Sequence, residues 1–415
     1  MPGSGPTNAD IGLLQAYAES SFAADMSGSL GSFLSIPFQE GSATFTCGQE
    51  MLDPMHAVQH QHDYREEILG KKSCQVSFTM PLAPTGTLAG DATTAVQSAL
   101  GLLLKTCMGG EDLGTGSTAS GAWSSAKSGA VTDAGGIEKG SALGWVNTAG
   151  ALECRPVGNK ATNTLTTKLG FSATPADEST IYSSATYYLT QDPDASLNFA
   201  IRGLESNDEW LLMGCQLDSI AIDLSFDGVP TVQFGFKGAN WLHGDDAAGT
   251  FSDIAPVTYA NTSPISGHAG RLMVRTTDTQ SYTAGVTIAA NALAFEPQLS
   301  YAAVPSPSGT NGVLRWRLSR ASGPSAQGSF GTYFESQKWH DHRGAKDDLL
   351  VLYQVGTVPA TGAVLIEAST CQIVDAQIEG SGTQNVNATW KARLDSTVST
   401  GTTDLHLSPL RIHFF

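Results

Sequence analysis

Positive charge is scarce in this sequence and absent from its beginning. The 415 residues include 22 Lys and Arg against 39 Asp and Glu, a formal net charge of −17 at pH 7, and no Lys or Arg precedes Arg65. A surface that clamps nucleic acid needs clustered cations, so that class of protein is excluded. A secretory signal begins with a positively charged region, so we expect none here.

Long apolar runs, dense charge and paired cysteine motifs are also missing. Charged residues make up only 15% of the chain, which excludes a long helical bundle or coiled coil. The most apolar stretch, residues 99–104, is far shorter than a membrane helix, so no membrane partner is expected. The six cysteines are scattered without a CxxC motif, which favours buried free thiols in a protein assembled in the cytosol.

Motifs for nucleophilic catalysis and phosphate binding are absent, so we expect neither an enzyme nor a cofactor. His56, His60, His62 and Asp63 have spacings that suit zinc or a softer divalent ion. No single helix or strand presents all of them together, so we favour a solvated or subunit-contact segment. A metal-dependent hydrolase that uses this cluster is the weakest alternative. The polar segment 339–343 is expected to be an exposed loop.

The patterns that are present belong to β-strands. Hydrophobic residues make up 41% of the chain, enough for a large core. Residues 76–80 alternate between apolar and small polar side chains, as in a half-buried strand. Residues 220–226 and 232–236 alternate in the same way around Asp227-Gly228, which is a hairpin signature. The chain is therefore predicted to be mainly β.

Three segments depart from this alternation. An apolar stripe at helical spacing predicts one helix over residues 91–108, ended by a Gly-Gly pair. Residues 109–150 are rich in Gly and Ser and are predicted to form a mobile surface loop or a long hairpin. Residues 1–40 are predicted to be an N-terminal arm that orders against a neighbour, or else a small packed helix.

An internal repeat is visible in the second half of the chain. A shift of 154 residues places 197–201 on 351–355, 220–222 on 374–376 and 232–237 on 386–391 without gaps. A shift of 223 places 75–86 on 298–309. We therefore predict copy one at 41–240, a linker at 241–265, and copy two with a C-terminal arm at 266–415. The alternative is that two unrelated β domains match through alternation alone.

The sequence also resembles a known family. Residues 209–228, followed by the returning strand 232–238, resemble the tail tube (major tail) proteins of long-tailed phages, and so do residues 45–53, strand 76–80 and helix 91–108. The resemblance implies two tandem β-sandwich or barrel units with orthogonally packed sheets and one flanking helix. This chain is about twice the length of a simple tube protein, and its second copy shows no clear counterpart of the helix.

The resemblance further implies a structural virion protein. Six tube units would close into a ring around one continuous β-barrel, so three doubled chains would form a pseudo-sixfold ring, and rings would stack into the tail tube. Its partners would be copies of itself, a tape measure protein inside, and terminator and tip proteins at the ends. DNA would pass through without specific binding during ejection, as the acidic net charge allows. The protein would be assembled in the host cytoplasm and reside in the virion tail.

Two sets of residues are candidates for these roles. The polar faces of two matching strands are candidates for the lumen wall, unless they form an outer solvated face: Ser219, Asp223, Ser225, Asp375, Gln377 and Glu379. The apolar residues of the two ends are candidates for contacts between subunits or rings, since an exposed apolar end would be a sticky patch: Ile11, Leu14, Leu407, Leu410, Ile412, Phe414 and Phe415.

A second function is compatible with the same sequence. A β-sandwich binding module at a tail tip, in a fibre or on a capsid would recognise a glycan or the capsid surface. Aromatic side chains in loops serve sugar stacking, and Trp123, Trp145 and Trp339 lie in segments predicted to be loops.

Overall fold

The computed structural model confirms that the protein is mainly β. The structure describes residues 11–23, 32–52, 68–85, 88, 92–96, 98–190, 195–203, 209–224, 228–244, 265–276, 286–288, 290–298, 301–305, 313–318, 325–333, 338–379, 385–394 and 404–415. Neighbouring strands in this part of the chain pair antiparallel.

The described residues of the first half of the chain form sixteen strands and one α-helix. In order they are β1 (Ile11–Ala18), β2 (Leu34–Ser35), β3 (Thr44–Leu52), β4 (Ile68–Pro81), α1 (Ser98–Met108), β5 (Gly109–Leu113), β6 (Ser117–Thr118), β7 (Ser128–Ala130), β8 (Ala142–Val146), β9 (Leu152–Ala161), β10 (Thr164–Thr167), β11 (Thr180–Ser183), β12 (Ala185–Leu189), β13 (Leu197–Gly203), β14 (Glu209–Asp223), β15 (Thr231–Gly238) and β16 (Asn240–His243).

The second half contains ten strands and two α-helices among its described residues. They are β17 (Arg271–Thr276), β18 (Val286–Ile288), β19 (Ala290–Gln298), β20 (Tyr301–Pro305), β21 (Val313–Leu318), β22 (Ser325–Tyr333), α2 (Lys338–Ala345), β23 (Leu349–Val355), β24 (Val364–Glu379), β25 (Asn385–Ala392), α3 (Asp404–Leu407) and β26 (Leu410–Phe414).

The two halves repeat one order of strand pairing. We define unit one as β1, β3, β4, α1 and β13–β16, and unit two as β17, β19, β22, α2 and β23–β26. In unit one β1 pairs with β13, β13 with β14, β14 with β15 and β16, and β15 with β4, which pairs with β3. Unit two repeats these pairings as β17–β23–β24, β24–β25, β24–β26, β25–β22 and β22–β19. This topology supports the expected duplication.

The details of the predicted repeat need correction. The pair Phe199–Leu212 corresponds to Tyr353–Ile366 at the predicted shift of 154. Further along, Ile222 pairs with Val232, and Ile378 pairs with Val386, so Ile222 corresponds to Ile378 rather than to residue 376. The reason is that β24 contains two more residues than β14 between these points, which a gapless shift misses.

The early block of the repeat is also assigned differently. The counterpart of β4 is β22, because each pairs with the hairpin-returning strand of its unit, so the shift of 223 is wrong. The helix that copy two was expected to lack is α2, which occupies the place of α1 between β22 and β23. It contains residues 339–343, which were predicted to be an exposed loop, and Trp339 anchors it at 7% exposure. Helix α1 begins at Ser98 rather than at residue 91.

Each unit has two layers that share one long strand. The first half of β14 belongs to an outer sheet with β13 and β16, and its second half belongs to an inner sheet with β15. Gly214 lies between the two halves at φ +66°, a conformation that disfavours a side chain. The core between the layers contains stacked and tilted aromatic rings, with centroids of Phe199 and Phe236 4.9 Å apart. The apolar stripe of α1 closes this core.

The segment 109–150 is not a mobile loop. Its first residues form β5, and β6 to β11 form a separate six-stranded sheet in the order β6-β11-β8-β9-β10-β7. A bridge between Ala119 and Val131 joins the two outermost strands, so the sheet closes into a small barrel, which we call the inserted barrel. Its core contains Trp123, Trp145 and Phe171. The Gly and Ser residues that suggested a loop serve short strands and tight turns around these rings.

The inserted barrel comes from unit one but packs on unit two. Leu152 and Cys154 of β9 share an apolar cluster with Leu350 and Leu352 of β23. The side chain of Gln354 accepts a hydrogen bond from the Cys154 N–H at 3.1 Å and donates one to the Leu152 carbonyl at 2.9 Å. The barrel therefore covers the outer sheet of unit two.

A buried ionic cluster fastens this contact. The Lys168 Nζ lies 2.8 Å from the Glu367 carboxylate, which also faces Arg411 at 3.2 Å and the His413 ring at 3.2 Å. Burial by itself raises the pKa of Glu367, but the charges of Lys168 and Arg411 hold it well below its ordinary value. Burial lowers the pKa of His413, which favours the neutral ring. The cluster joins the barrel, β24 and β26.

The apolar ends of the chain are integral parts of the fold. Leu14 is fully buried on β1, and Leu410, Ile412 and Phe414 are fully buried on β26, which pairs with β24 and β12 of the same chain. Phe415 is 2% exposed. The predicted role of these five residues as contacts to neighbouring subunits is therefore wrong, because their own sheet already covers them. Ile11 and Leu407 are half-buried.

We expect Glu367→Ala to destabilise the protein by about 3–5 kcal/mol, because it leaves Lys168 and Arg411 buried without their counter-charge. The free energy of unfolding in urea measures this effect. The control is Asp218→Ala, which removes a pair with Lys237, since the two side chains are 37% and 40% exposed. That variant is expected to lose at most about 1 kcal/mol. Equal losses in the two variants would contradict the role of the cluster.

We expect Glu19 to contribute stability that falls as the pH rises from 4.5 to about 7. Burial raises the pKa of Glu19 from 4.5 to about 7, although its carboxylate accepts hydrogen bonds from the N–H groups of Gly214 and Ala23. A raised pKa in the folded state gives stability that is complete below pH 4.5 and is lost as the pH passes about 7.

Glu19→Gln should flatten this part of the pH profile of the unfolding free energy. Glu40→Gln, at an exposed position, is the control and should keep the wild-type slope. A Glu19→Gln profile that still falls like the wild type would refute the assignment.

Candidate assembly interface

The inner sheets of the two units join into one continuous sheet. Strand β14 of unit one pairs with β19 of unit two through Ile222–Phe295 and Asp223–Ala294. The strands therefore run β3-β4-β15-β14-β19-β22-β25-β24 across the molecule. The joint connects the second half of the long strand of one unit to the first inner strand of the other.

Both ends of this sheet offer strands without a second partner among the described residues. At one end, β3 pairs only with β4. At the other end, residues 375–379 of β24 pair only with β25. These two edges are the counterparts of the two strands that meet in the internal joint, since β3 corresponds to β19 and β24 to β14.

Burial differs sharply between the closed joint and its open counterpart. Ile222 is 4% exposed in the joint, whereas its counterpart Ile378 is 46% exposed on the edge of β24. On the receiving strand, Phe295 of β19 corresponds to Phe45 of β3, because each pairs with the equivalent position of the next strand. Each end of the continuous sheet is therefore an open strand edge among the described residues, and each is equivalent to one of the two strands that meet in the internal joint.

One face of the continuous sheet is polar and carries charges of both signs, including Asp223 and Lys391, among neutral side chains. Ser219 lies in a row with Gly235, Ser77 and Thr44, and the Thr44 and Ser77 hydroxyls are 2.8 Å apart. The corresponding row in unit two begins at Asp375 and contains Thr389, Ser329 and Ala294. The opposite face of the sheet is buried in the core.

The structure places four of the six candidate lumen residues, from both units, on this one face. Ser219, Asp223 and Gln377 are exposed, and Asp375 is half-buried 3.2 Å from Arg343. Glu379 follows in the same strand, and Ser225 lies outside the described residues. Whether this face lines a lumen remains a prediction.

The structure gives less support to the residues considered for sugar binding and metal binding. Trp123, Trp145 and Trp339 are 3%, 4% and 7% exposed, so they pack in cores and offer no stacking platform to a sugar. The segment from His56 to Asp63 lies outside the described residues. Within the described part of the chain, no group of three or more His, Cys, Asp or Glu side chains is arranged to hold a metal ion. Five of the six cysteines are buried, as predicted.

Sequence reasoning missed the edge residues Phe45 and Ile378. Their signal was present in the repeat: Phe45 matches Phe295, and Ile378 matches Ile222, once β24 is given its two additional residues. A gapless comparison hides this match because it places residue 376 where Ile378 belongs.

Comparisons with known proteins add little to this geometry. No protein-family model and no curated protein matches the chain. One similar solved structure is a chain described as "Virion of native gene transfer agent (GTA) particle", with 20% sequence identity over 29% of this chain and 89% of that chain and a TM-score of 0.21. A TM-score of 0.21 is too low to indicate a shared fold. In the described part of the chain, no helix has the length and apolar character needed to cross a membrane.

Proposed function

We propose that this protein is a structural virion subunit that assembles with copies of itself into rings, and that the rings stack into a tail tube for DNA passage. The observation that carries the proposal is the internal β14–β19 joint together with its open counterpart at β24 and β3. The edge of β24 in one chain would pair with β3 of the next, in the way that β14 pairs with β19.

The physical reason is the cost of an unpaired strand edge. Backbone N–H and C=O groups on an edge invite another strand, and a closed barrel removes every edge. A contact between two different surfaces, repeated around an axis, closes into a ring. Because each chain supplies two units, three chains would give a ring with pseudo-sixfold symmetry.

The polar face supports the placement of the bore. If the inner sheets close into a barrel with their apolar face toward the core, the polar face lines the hole. Lys237 and Lys391 on this face are isolated rather than clustered, since Lys237 pairs with Asp218 and Lys391 lies among neutral side chains, so phosphate groups would be held weakly and DNA would slide through. The inserted barrel, on the far side of unit two, would lie outside the tube. Assembly in the host cytoplasm and residence in the virion tail belong to the same proposal.

The proposal predicts that Ile378→Glu abolishes assembly but not folding. In the ring, Ile378 would be buried against Phe45 of the next chain, and a carboxylate there would be desolvated without a partner. Negative-stain microscopy and analytical ultracentrifugation should show rings and tubes of wild-type protein and single folded chains of the variant. Circular dichroism should be the same for both.

Val358→Glu is the matched control, because Val358 is 54% exposed in the turn between β23 and β24 and belongs to neither edge. This variant should assemble like the wild type. A wild-type chain that stays monomeric under all assembly conditions would overturn the proposal, and normal tubes from Ile378→Glu would overturn the edge pairing.

A further inference from the structure

A second surface of unit one is open where its counterpart in unit two is covered. In unit two, β26 pairs on one side with β24 and on the other with β12, which unit one supplies. The counterpart of β26 in unit one is β16, which pairs with β14 only among the described residues. All four residues of β16 are half-buried, whereas every residue of β26 is buried.

The open strand carries aromatic side chains. We define the aromatic edge as Trp210, Trp241 and His243. The ring centroids of Trp210 lie 5.5 Å from those of Trp241 and 4.5 Å from those of His243. The Trp241 indole N–H donates to the Gly48 carbonyl of β3 at 3.1 Å, which places the aromatic edge beside the open edge of the inner sheet.

The residues of unit two that correspond to the aromatic edge are covered by a neighbouring strand. By register, Trp241 corresponds to Ile412 and His243 to Phe414. Both counterparts are fully buried, and the Phe414 ring packs edge-on to Tyr187 of β12 at 5.9 Å. Helix α1 of unit one packs behind β12 and β5. The covering layer therefore comes from the unit on the other side of the internal joint.

In an assembled ring, the layer that covers β16 would come from unit two of the neighbouring chain. Unit two has only residues 346–348 between α2 and β23, so it cannot supply a hairpin like β5–β12. The element that it places there is α2, the counterpart of α1. Helix α2 is anchored by Trp339 against Phe330 at 4.9 Å, and it leaves Asp341 and Arg343 exposed.

We propose that the aromatic edge contacts the exposed face of α2 of the neighbouring chain, as a second layer of the joint between chains. The inference rests on the proposed ring assembly. The chemistry of the two surfaces is complementary, because Lys72 lies 4.4 Å over the Trp241 ring and Asp341 offers it a carboxylate. The guanidinium of Arg343 pairs with Asp375 of its own chain at 3.2 Å, and its planar face suits stacking on an indole.

Photo-crosslinking of assembled tubes tests this contact. His243→p-benzoylphenylalanine is mixed as a minor fraction with wild-type chains, so that assembly does not depend on the variant, and the tubes are irradiated. Peptide mass spectrometry should identify adducts between residue 243 of one chain and residues 338–346 of another. Val358→p-benzoylphenylalanine serves as the control and should give no adduct with that helix.

The outcomes separate this inference from the function on which it rests. Tubes whose residue 243 forms adducts only within its own chain, or with another segment of a neighbour, would overturn the α2 contact and leave the tube function standing. Wild-type protein that forms neither rings nor tubes would overturn the function, and the contact with it. Asp341→Lys provides a second measurement: it sets a cation opposite Lys72, so the adduct yield should fall while rings still form through the inner edges.

Discussion

The unpaired backbone of a strand edge is the constraint on which this structure depends. Each edge strand presents N–H and C=O groups that must find partners, and antiparallel sheets either close or recruit another strand. Within one chain the second half of β14 meets this requirement by pairing with β19, which turns two separate inner sheets into one. In the part of the chain that the structure describes, β3 and the end of β24 lack such a partner, and duplication makes these two edges complementary.

The outer sheets and the inner sheet differ in what covers them. The outer sheets are tied down by buried pairs and by the inserted barrel, with Glu367 completely buried among cations at their centre. The inner sheet is backed by the same core but leaves its other face polar and open. A rigid outer layer can hold an inner sheet in a fixed curvature, while the polar inner face carries carboxylates and lysines, such as Asp223 and Lys391, interspersed with neutral side chains.

The two units are related but are not equivalent. Strand β12 of unit one, which pairs with β5, extends the outer sheet of unit two by pairing with β26, and the inserted barrel covers that sheet. Among the described residues, no strand of unit two extends the outer sheet of unit one in the same way. This asymmetry distinguishes the joint within a chain from the joint between chains. It also explains why the C-terminal residues 410–414, which looked like a sticky arm, are buried: β12 covers them.

Local patterns were sufficient for much of the fold. The alternation around Asp227-Gly228 predicted the β14–β15 hairpin, and the apolar stripe that includes Leu100 and Leu104 predicted α1. These succeed because strand and helix periods are set by neighbours in sequence. The prediction for residues 109–150 was wrong because their composition resembles that of a loop. Their short strands close into a barrel only together with residues farther along the chain, including Phe171 and Ile181.

By itself, the sequence determined the mainly β class, the presence of a repeat and a polar strand face, since each follows from composition and period. Tertiary structure alone decided which strands are left open. The pairing of Ile222 with Phe295 joins segments more than seventy residues apart, and Ile378 is exposed because no equivalent strand lies beside it among the described residues. Such pairings are chosen by the closure of the whole sheet, which no local pattern encodes.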